Sequence, residues 1–579
     1  MTKTAATTKT ALMGKPVLTN KTALMATACA ALLLGACGPA TPDVEEPAEV
    51  DHAALISTTD LGRRIETLSG DDFMGRAPGT QGGQMTLDYL SAEMEAAGLA
   101  PMGENGTYFQ TVRLSEATLS PDSTLRIEGG GGDVLLDVDA SQHDNAVFWT
   151  KKTAAEHRLD DSELVFVGYG TVAPEFGWND YAGLDVTGKT VVMLVNDPGF
   201  ATKDDALFGG DAMTYYGRWT YKFEEAGRQG ADAAIVIHQT EPASYPWEVV
   251  SGSWTGPQLD VVRTDGGADR TVMEGWIDED TARRLFGAAG LDFDTLAVEA
   301  STQGFEPVAM GDLTLDAALD QQVATVESAN VIGGVRGTVR PDEYVLYMAH
   351  WDHLGNNGVG EDHIYNGAVD NATGTAAIIE IGEAFVEAGA PERTALFMAV
   401  TAEESGLLGS AYYAANPLYP LENTVAGVNI DAVLPVGETK DMTVIGFGSS
   451  ELEDRLGDIL ALRDMRIEPD TNASAGYFYR SDHISLAKRG VPMLYADGGT
   501  DHVTKGTAYG EDFAAEYTEL RYHKPADEYD NSWDLSGIKQ VTEILFELGY
   551  DLADSEDWPN WYDGNEFRAL RDEQRSGME

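Results

Sequence analysis

Two adjacent carboxylates, Glu403 and Glu404, end an apolar run that begins at Phe397. Upstream stand His350-Trp-Asp352-His353 and Gly367-Ala-Val-Asp370-Asn-Ala-Thr-Gly374, and downstream Asn429-Ile-Asp431 and Tyr522-His523. These are the residue types that two divalent ions about 3.5–4 Å apart require: a bridging carboxylate, terminal His, Asp or Glu ligands on each ion, and an open side for water and substrate. Asp370 suits the bridge. His350 and Asp431 could complete one metal and Glu404 and His523 the other, which leaves Glu403 free as general base. Asp352 could accept the second imidazole N–H of His350 and fix its tautomer.

A lone His-x-Asp or Glu-Glu pair is a weak signal in so acidic a chain, because most such pairs are solvated surface or caps. The elements that must position them decide the matter. Tyr344–Ala349, Thr394–Val400 and Val425–Ile430 are near-continuous apolar runs, as expected of strands buried on both faces. Each is followed at once by a candidate ligand, and ligands at the carboxyl ends of parallel strands converge in the crevice where open α/β sheets bind substrate. After Asp370 a helix is expected from about Thr373-Gly374, with Ala377, Ile378, Ile381 and Phe385 on one face.

Taken together, these motifs resemble the co-catalytic di-zinc exopeptidases, the family of aminopeptidases and glutamate carboxypeptidases. The resemblance implies a mixed, mostly parallel α/β sheet flanked by helices and two zinc ions. It implies ligands at His350, Asp370, Glu404, Asp431 and His523, with Glu403 as catalytic base and Asp352 orienting a ligand. It also implies a cis peptide between Asp370 and Asn371. The expected activity is removal of N-terminal residues from peptides. A glutaminyl cyclase-like zinc acyl transferase, a glutamate carboxypeptidase-like activity and a non-catalytic binding relative stand as alternatives. His483, in Tyr479-Arg480-Ser-Asp-His483, resembles a family segment that lines the substrate pocket, and Tyr479, with Tyr477 as rival, could donate to an oxyanion. His353 and His363 read as loop or supporting residues. A terminal-carboxylate site would need a basic cluster, for which Arg480 and Arg218 are the obvious candidates.

The metal motifs begin only at His350, although residues 57–120 already resemble the first helices of the catalytic domain. Residues 121–325 therefore read as an insertion, whose runs Glu163–Gly170, Asn179–Lys189 and Thr190–Asn196 resemble a protease-associated domain. Residues 326–560 carry the metal site, and 561–579 form a C-terminal tail.

With 38 basic and 96 acidic residues the net charge is -58. Such a field repels nucleic acid and anionic lipid surfaces, so neither is an expected partner, and the resemblance implies a peptide substrate. Residues 1–36 read as a secretory leader: Lys3, Lys9, Lys15 and Lys21 precede an apolar run too short to span a bilayer comfortably. Leu34-Gly-Ala-Cys37 resembles a bacterial lipobox, so Cys37 is expected to carry lipid at the start of a flexible tether over residues 37–56. The expected location is the bacterial cell envelope, on the outer membrane. Cleavage would also remove Cys29, leaving no partner for a disulfide.

Overall fold

Four strands, Arg340–His350, Arg393–Val400, Thr424–Asn429 and Met493–Gly498, form a parallel group in the computed structural model. Arg340–His350 lies between Arg393–Val400 and Thr424–Asn429, and Met493–Gly498 pairs with the latter. Antiparallel strands extend both sides: the end of Val308–Val335 beside Arg393–Val400, and Asp441–Val444 beside Met493–Gly498. This is the mixed, mostly parallel sheet that the resemblance implies, and its parallel strands are the apolar runs. The structure describes residues 55–577 except 205 and 255, so the leader, Cys37 and nearly all of the tether lie outside the described residues.

Strand alternation sends successive side chains to opposite faces, and both faces are covered. Val345, Tyr347 and Ala349 join a core with the helices Gly374–Ala388 and Ser536–Ala553. Tyr344, Leu346 and Met348 point the other way, into a core with Tyr413, Ile484 and Trp561. The chain end takes part in this packing. Trp561 is fully buried and donates to the Gly490 carbonyl at 3.1 Å, and Arg571, in the helix Arg568–Ser576, donates to the carbonyls of Thr424 and Val425.

The intervening residues build a second sheet with its own cores. Glu156–Phe166, Thr190–Leu194, Ala233–Ile237 and Met273–Ile277 run parallel within it. Val308–Val335 belongs to both sheets: residues 314–320 pair with Glu156–Phe166, and residues 321–331 pair with Phe109–Leu119. The expected boundary at 325 thus falls inside an unbroken strand. Among the described residues, no helix is long and apolar enough to cross a membrane.

The first helix, Thr58–Leu68, is capped by the Ser57 hydroxyl, which accepts from the Asp60 amide. Arg64 ties it to the Gly374–Ala388 helix. Its buried guanidinium contacts Glu380 and donates to Glu93 at 3.0 Å and Glu383 at 2.6 Å. Burial pushes the Glu380 carboxyl up to about 7. Removing one partner of such a buried cluster strands the others, typically at about 3–5 kcal/mol. Arg64→Ala should therefore lower the melting temperature clearly, while Arg63→Ala, on the exposed side of the same helix, should change it little; scanning calorimetry on both variants tests this.

Candidate metal centre

Strand register brings the ligands level. His350 is the last residue of its strand and pairs with Val400, while Met348 pairs with Asn429, so His350 stands abreast of Asp431. Glu403 and Glu404 follow Val400 through a turn in which Ala402 has φ +54°. Ala432, just after Asp431, and His523 also have positive φ, at +59° and +56°. Non-glycine residues in this region cost of order 1–3 kcal/mol each and persist where the surroundings over-determine them.

Around Asp370 the side chains fall into two groups, one on each carboxylate oxygen. His350 Nε2 lies 3.2 Å from Asp370 Oδ1 and 3.2 Å from Asp431 Oδ1. His523 Nε2 lies 3.2 Å from Asp370 Oδ2 and 3.3 Å from Glu404 Oε2. Donor atoms about 2.0–2.1 Å from a tetrahedral zinc stand roughly 3.3 Å apart, so the histidine–carboxylate distances on both sides of Asp370 fit nitrogen and oxygen donors to a zinc ion. The closest approach of Glu403 to His350 Nε2 is 4.0 Å, longer than the His–carboxylate distances in either trio, although Glu403 also lies within donor reach of His350 and Asp431. His353, fully buried, has Nδ1 2.5 Å from Glu404 Oε1 and so backs that ligand.

A scaffold of hydrogen bonds holds these groups. The Asp370-Asn371 peptide is cis. The Asn371 amide donates to the Ile430 carbonyl, and its oxygen accepts from Gly374 and Ala432, joining the Asp370 and Asp431 loops. Gly374 is required here, since a Cβ would come 2.3 Å from the Ile430 carbonyl oxygen. Asp527 accepts from the amides of Val369 and Asp370. Arg76, fully buried, donates to the carbonyls of Trp351, Asn366 and Gly367. Ser481 receives a bond from Asn429 at 2.7 Å and donates to Asp431 Oδ2 at 2.5 Å.

Asp352 acts differently from the expectation. The His350 Nδ1 hydrogen bond goes to the backbone carbonyl of Asp352, at 3.1 Å, while the carboxylate oxygen stands 3.9 Å away. That carboxylate instead accepts from the Glu403 and Glu404 amides, at 3.0 and 3.4 Å. It therefore fixes the Glu-Glu turn, and the tautomer of His350 is set by main chain.

Without cations the site carries a surplus of buried acid. Burial pushes Asp352 up to about 6, Asp482 up to about 7 and Asp497 up to about 8. Burial, then Glu404 and Asp431, holds Glu403 well above the usual carboxylate range. Burial works against Asp370 as well, but hydrogen bonds from His350 and His523 hold it well below. A donor set this acidic is suited to dications.

The remaining candidates divide. The Tyr479 hydroxyl donates to Glu566 at 2.9 Å and is committed there, contrary to an oxyanion role. Tyr477 is exposed, under the Arg480 guanidinium. His483 is buried against Phe478 and Tyr495 and is packed as an apolar ring, so the pocket-lining expectation for it fails. His363 lies in the Gly355–Tyr365 hairpin region, and His502 Nδ1 accepts from the Thr504 and Lys505 amides. The Arg480 guanidinium lies 5.6 Å from the Tyr245 ring, and Arg218 stands at the N-cap of the helix Trp219–Gln229. Asp527, Arg76 and Ser481 escaped the sequence reading, as did Tyr522, which stacks on His523 at 4.0 Å. Asp527 and Tyr522 carried a signal in their nearness to His523 and Ser481 in its place within the Tyr479–His483 segment, whereas Arg76 carried none.

Residues 330–549 match the sequence model described as peptidase family M28. "Aminopeptidase NAALADL1" of Mus musculus is 37% identical over 110 residues, 18% of this chain and 13% of that protein. A "Probable zinc metalloprotease" of Pyrenophora teres f. teres is 32% identical over 108 residues, 19% of this chain and 23% of that protein. The chain thus spans less than a quarter of the length of either relative. The solved "Aminopeptidase from Aneurinibacillus sp. strain AM-1" is 18% identical, with 87% of this chain and 96% of that one covered and a TM-score of 0.48.

Asp352→Ala should leave all five metal donors in place while freeing the Glu403-Glu404 turn. Loss of such a supporting group typically costs about 10–100-fold in metal affinity or activity, so competition with a chelator should strip zinc from the variant at correspondingly lower chelator concentration; equal retention would count against the role. His483 gives a pH prediction. Burial pushes it down to about 3, whereas the unfolded chain titrates near 6.5. The unfolded state therefore binds the extra proton, and this stability is present above about pH 6.5 and lost as pH falls toward 3. His483→Phe should flatten the fall in melting temperature between pH 6.5 and 4 relative to the parent.

Proposed function

We propose that the chain, which belongs to peptidase family M28 through residues 330–549, is an exported di-zinc aminopeptidase that removes N-terminal residues from peptides. The observation that carries this is the division of Asp370, with Oδ1 facing the His350 nitrogen that also faces Asp431 and Oδ2 facing the His523 nitrogen that also faces Glu404, while Glu403 stands farther from His350, at 4.0 Å. Two zinc ions held there would supply a Lewis acid for the scissile carbonyl and lower the pKa of a water. Glu403 takes the proton of the attacking water and hands it to the leaving amine. Asp352 keeps that carboxylate aimed through its amide. Among the alternatives, a one-metal acyl transferase would not need the second donor trio, and a non-catalytic relative would not need a base. The leader and the Leu34–Cys37 tetrad favour export and lipid attachment at the outer membrane. We read the inserted β-rich half as a protease-associated domain flanking the cleft.

Glu403→Gln should retain close to two zinc ions per chain by elemental analysis while losing about 10²–10⁴ in kcat on aminoacyl anilides; retained activity at full zinc would remove Glu403 as base. Asp370→Ala takes a ligand from both ions and should lose zinc and melting temperature together. One zinc per parent chain, with cyclisation of N-terminal glutamine, would favour the acyl transferase instead.

A further inference from the structure

Asp352, Asp482 and Asp497 are acids near the metal donors that the donor trios do not use, and two of the three are sealed. Asp352 and Asp482 are fully buried, and Asp352 is committed to the Glu403 and Glu404 amides. Asp497 is half-buried and reaches solvent. It accepts from the amide of its neighbour Gly498 at 2.7 Å, and among the described residues no lysine, arginine or histidine pairs with it. A partly buried carboxylate left without a cation is costly.

Strand pairing sets its position. Asp497 lies at the carboxyl end of Met493–Gly498, the last of the four parallel strands. Asn429 pairs with Tyr495, so two residues on, where the strands open into the crevice, Asp431 and Asp497 stand abreast. Adjacent strands are about 4.8 Å apart. The electrostatics agree, because after burial it is the Asp431 carboxylate that raises Asp497.

Strand alternation sets its side. Tyr495 and Asp497 share one face, while Leu494 and Ala496 enter the core with the Gly374–Ala388 helix on the other. On the Tyr495 face, the tyrosine hydroxyl donates to the Asp431 carbonyl at 3.5 Å. Tyr522, stacked on His523, is near enough for its phenol to act on that of Tyr495. Two aromatic rings and one acid without a cation thus gather beside Asp431.

This combination suits a long cationic side chain, whose methylenes lie on apolar surface while its charge meets the carboxylate. The α-ammonium of a substrate fits less well. It is bonded to the carbon next to the scissile carbonyl and so stays at the metal donors. Asp497 is one strand removed from Asp431, a gap that the four-carbon stem of lysine spans.

We infer that Asp497 is a specificity-determining residue for the N-terminal side chain, selecting peptides that begin with lysine or arginine. This rests on the peptidase reading above. The net charge of -58 draws the same cationic peptides toward the cleft.

The test compares kcat/KM for lysyl and norleucyl p-nitroanilides, which differ by the ε-ammonium. The parent enzyme should prefer the lysyl substrate by roughly 10- to 100-fold, the worth of a hydrogen bond to a charged group. Asp497→Asn should bring that ratio toward one, mainly through KM, and Asp497→Glu should keep part of it. Equal turnover of the two substrates by the parent, or preference for norleucyl, would overturn the assignment whether or not the variants fold, and would leave the aminopeptidase reading intact. An equal loss on both substrates in Asp497→Asn would place the carboxylate on the α-ammonium or on the fold, and would overturn the side-chain role. Should no peptide be cleaved, the peptidase reading fails, and calorimetric titration of the parent protein with lysinamide and norleucinamide still decides: tighter binding of lysinamide supports the role of Asp497, and equal binding overturns it.

Discussion

One carboxylate, Asp370, must face two ways at once, and much of the surrounding structure follows from that demand. Its Oδ1 belongs with His350 and Asp431 and its Oδ2 with His523 and Glu404. A freely rotating side chain could not hold both. The main chain under it is therefore fixed on every side: Asp527 takes the amides before it, Asn371 joins it to the Ile430 strand end, and Arg76 gathers the carbonyls of the neighbouring loops. The Gly374–Ala388 helix that follows is buried along most of its length, so the loop has no soft side on which to relax.

The arrangement gathers acids where burial disfavours their charge. Asp352, Asp482 and Asp497 are all pushed up, and among the described residues the histidines and the buried Arg76 guanidinium offer the positive charge near the centre. Such a cluster opposes folding of the metal-free chain, and cation binding converts that opposition into stability because metal affinity is then part of the folding free energy. The apolar strands beneath supply the counterweight. Residues 393–400 are buried without exception, and the two faces of the sheet feed separate cores.

This division explains what could be read in advance. Strands buried on both faces must be apolar throughout, so Tyr344–Ala349 and Thr394–Val400 stand out, and so do the polar residues that interrupt them at their ends. Metal donors are limited to a few residue types, which made His350, Asp370, Glu404, Asp431 and His523 conspicuous by order and spacing. Asp527 and Arg76 act by binding main chain, Asp527 on amides 158 residues away and Arg76 on carbonyls up to 291 residues away. Nothing in their local sequence records such partners. Asp352 misled for a related reason: proximity in sequence suggested the His350 ring, but the ring is served by a carbonyl and the carboxylate turns to the adjacent strand's end. Tyr479 and His483 likewise lie near the site in sequence while their side chains serve Glu566 and a buried aromatic cluster.

The insertion raises a different question, namely how two sheets with separate cores keep a shared surface in register. Flexible linkers would leave the seam between them to weak contacts. Here the connection is backbone pairing: Val308–Val335 passes from one sheet into the other, Phe109–Leu119 pairs along it for eleven residues, and Gln258–Val261 returns from the insertion to pair with Phe109–Leu119. Sliding one half over the other would break ladder hydrogen bonds in a partly buried setting, where an unmade bond is expensive.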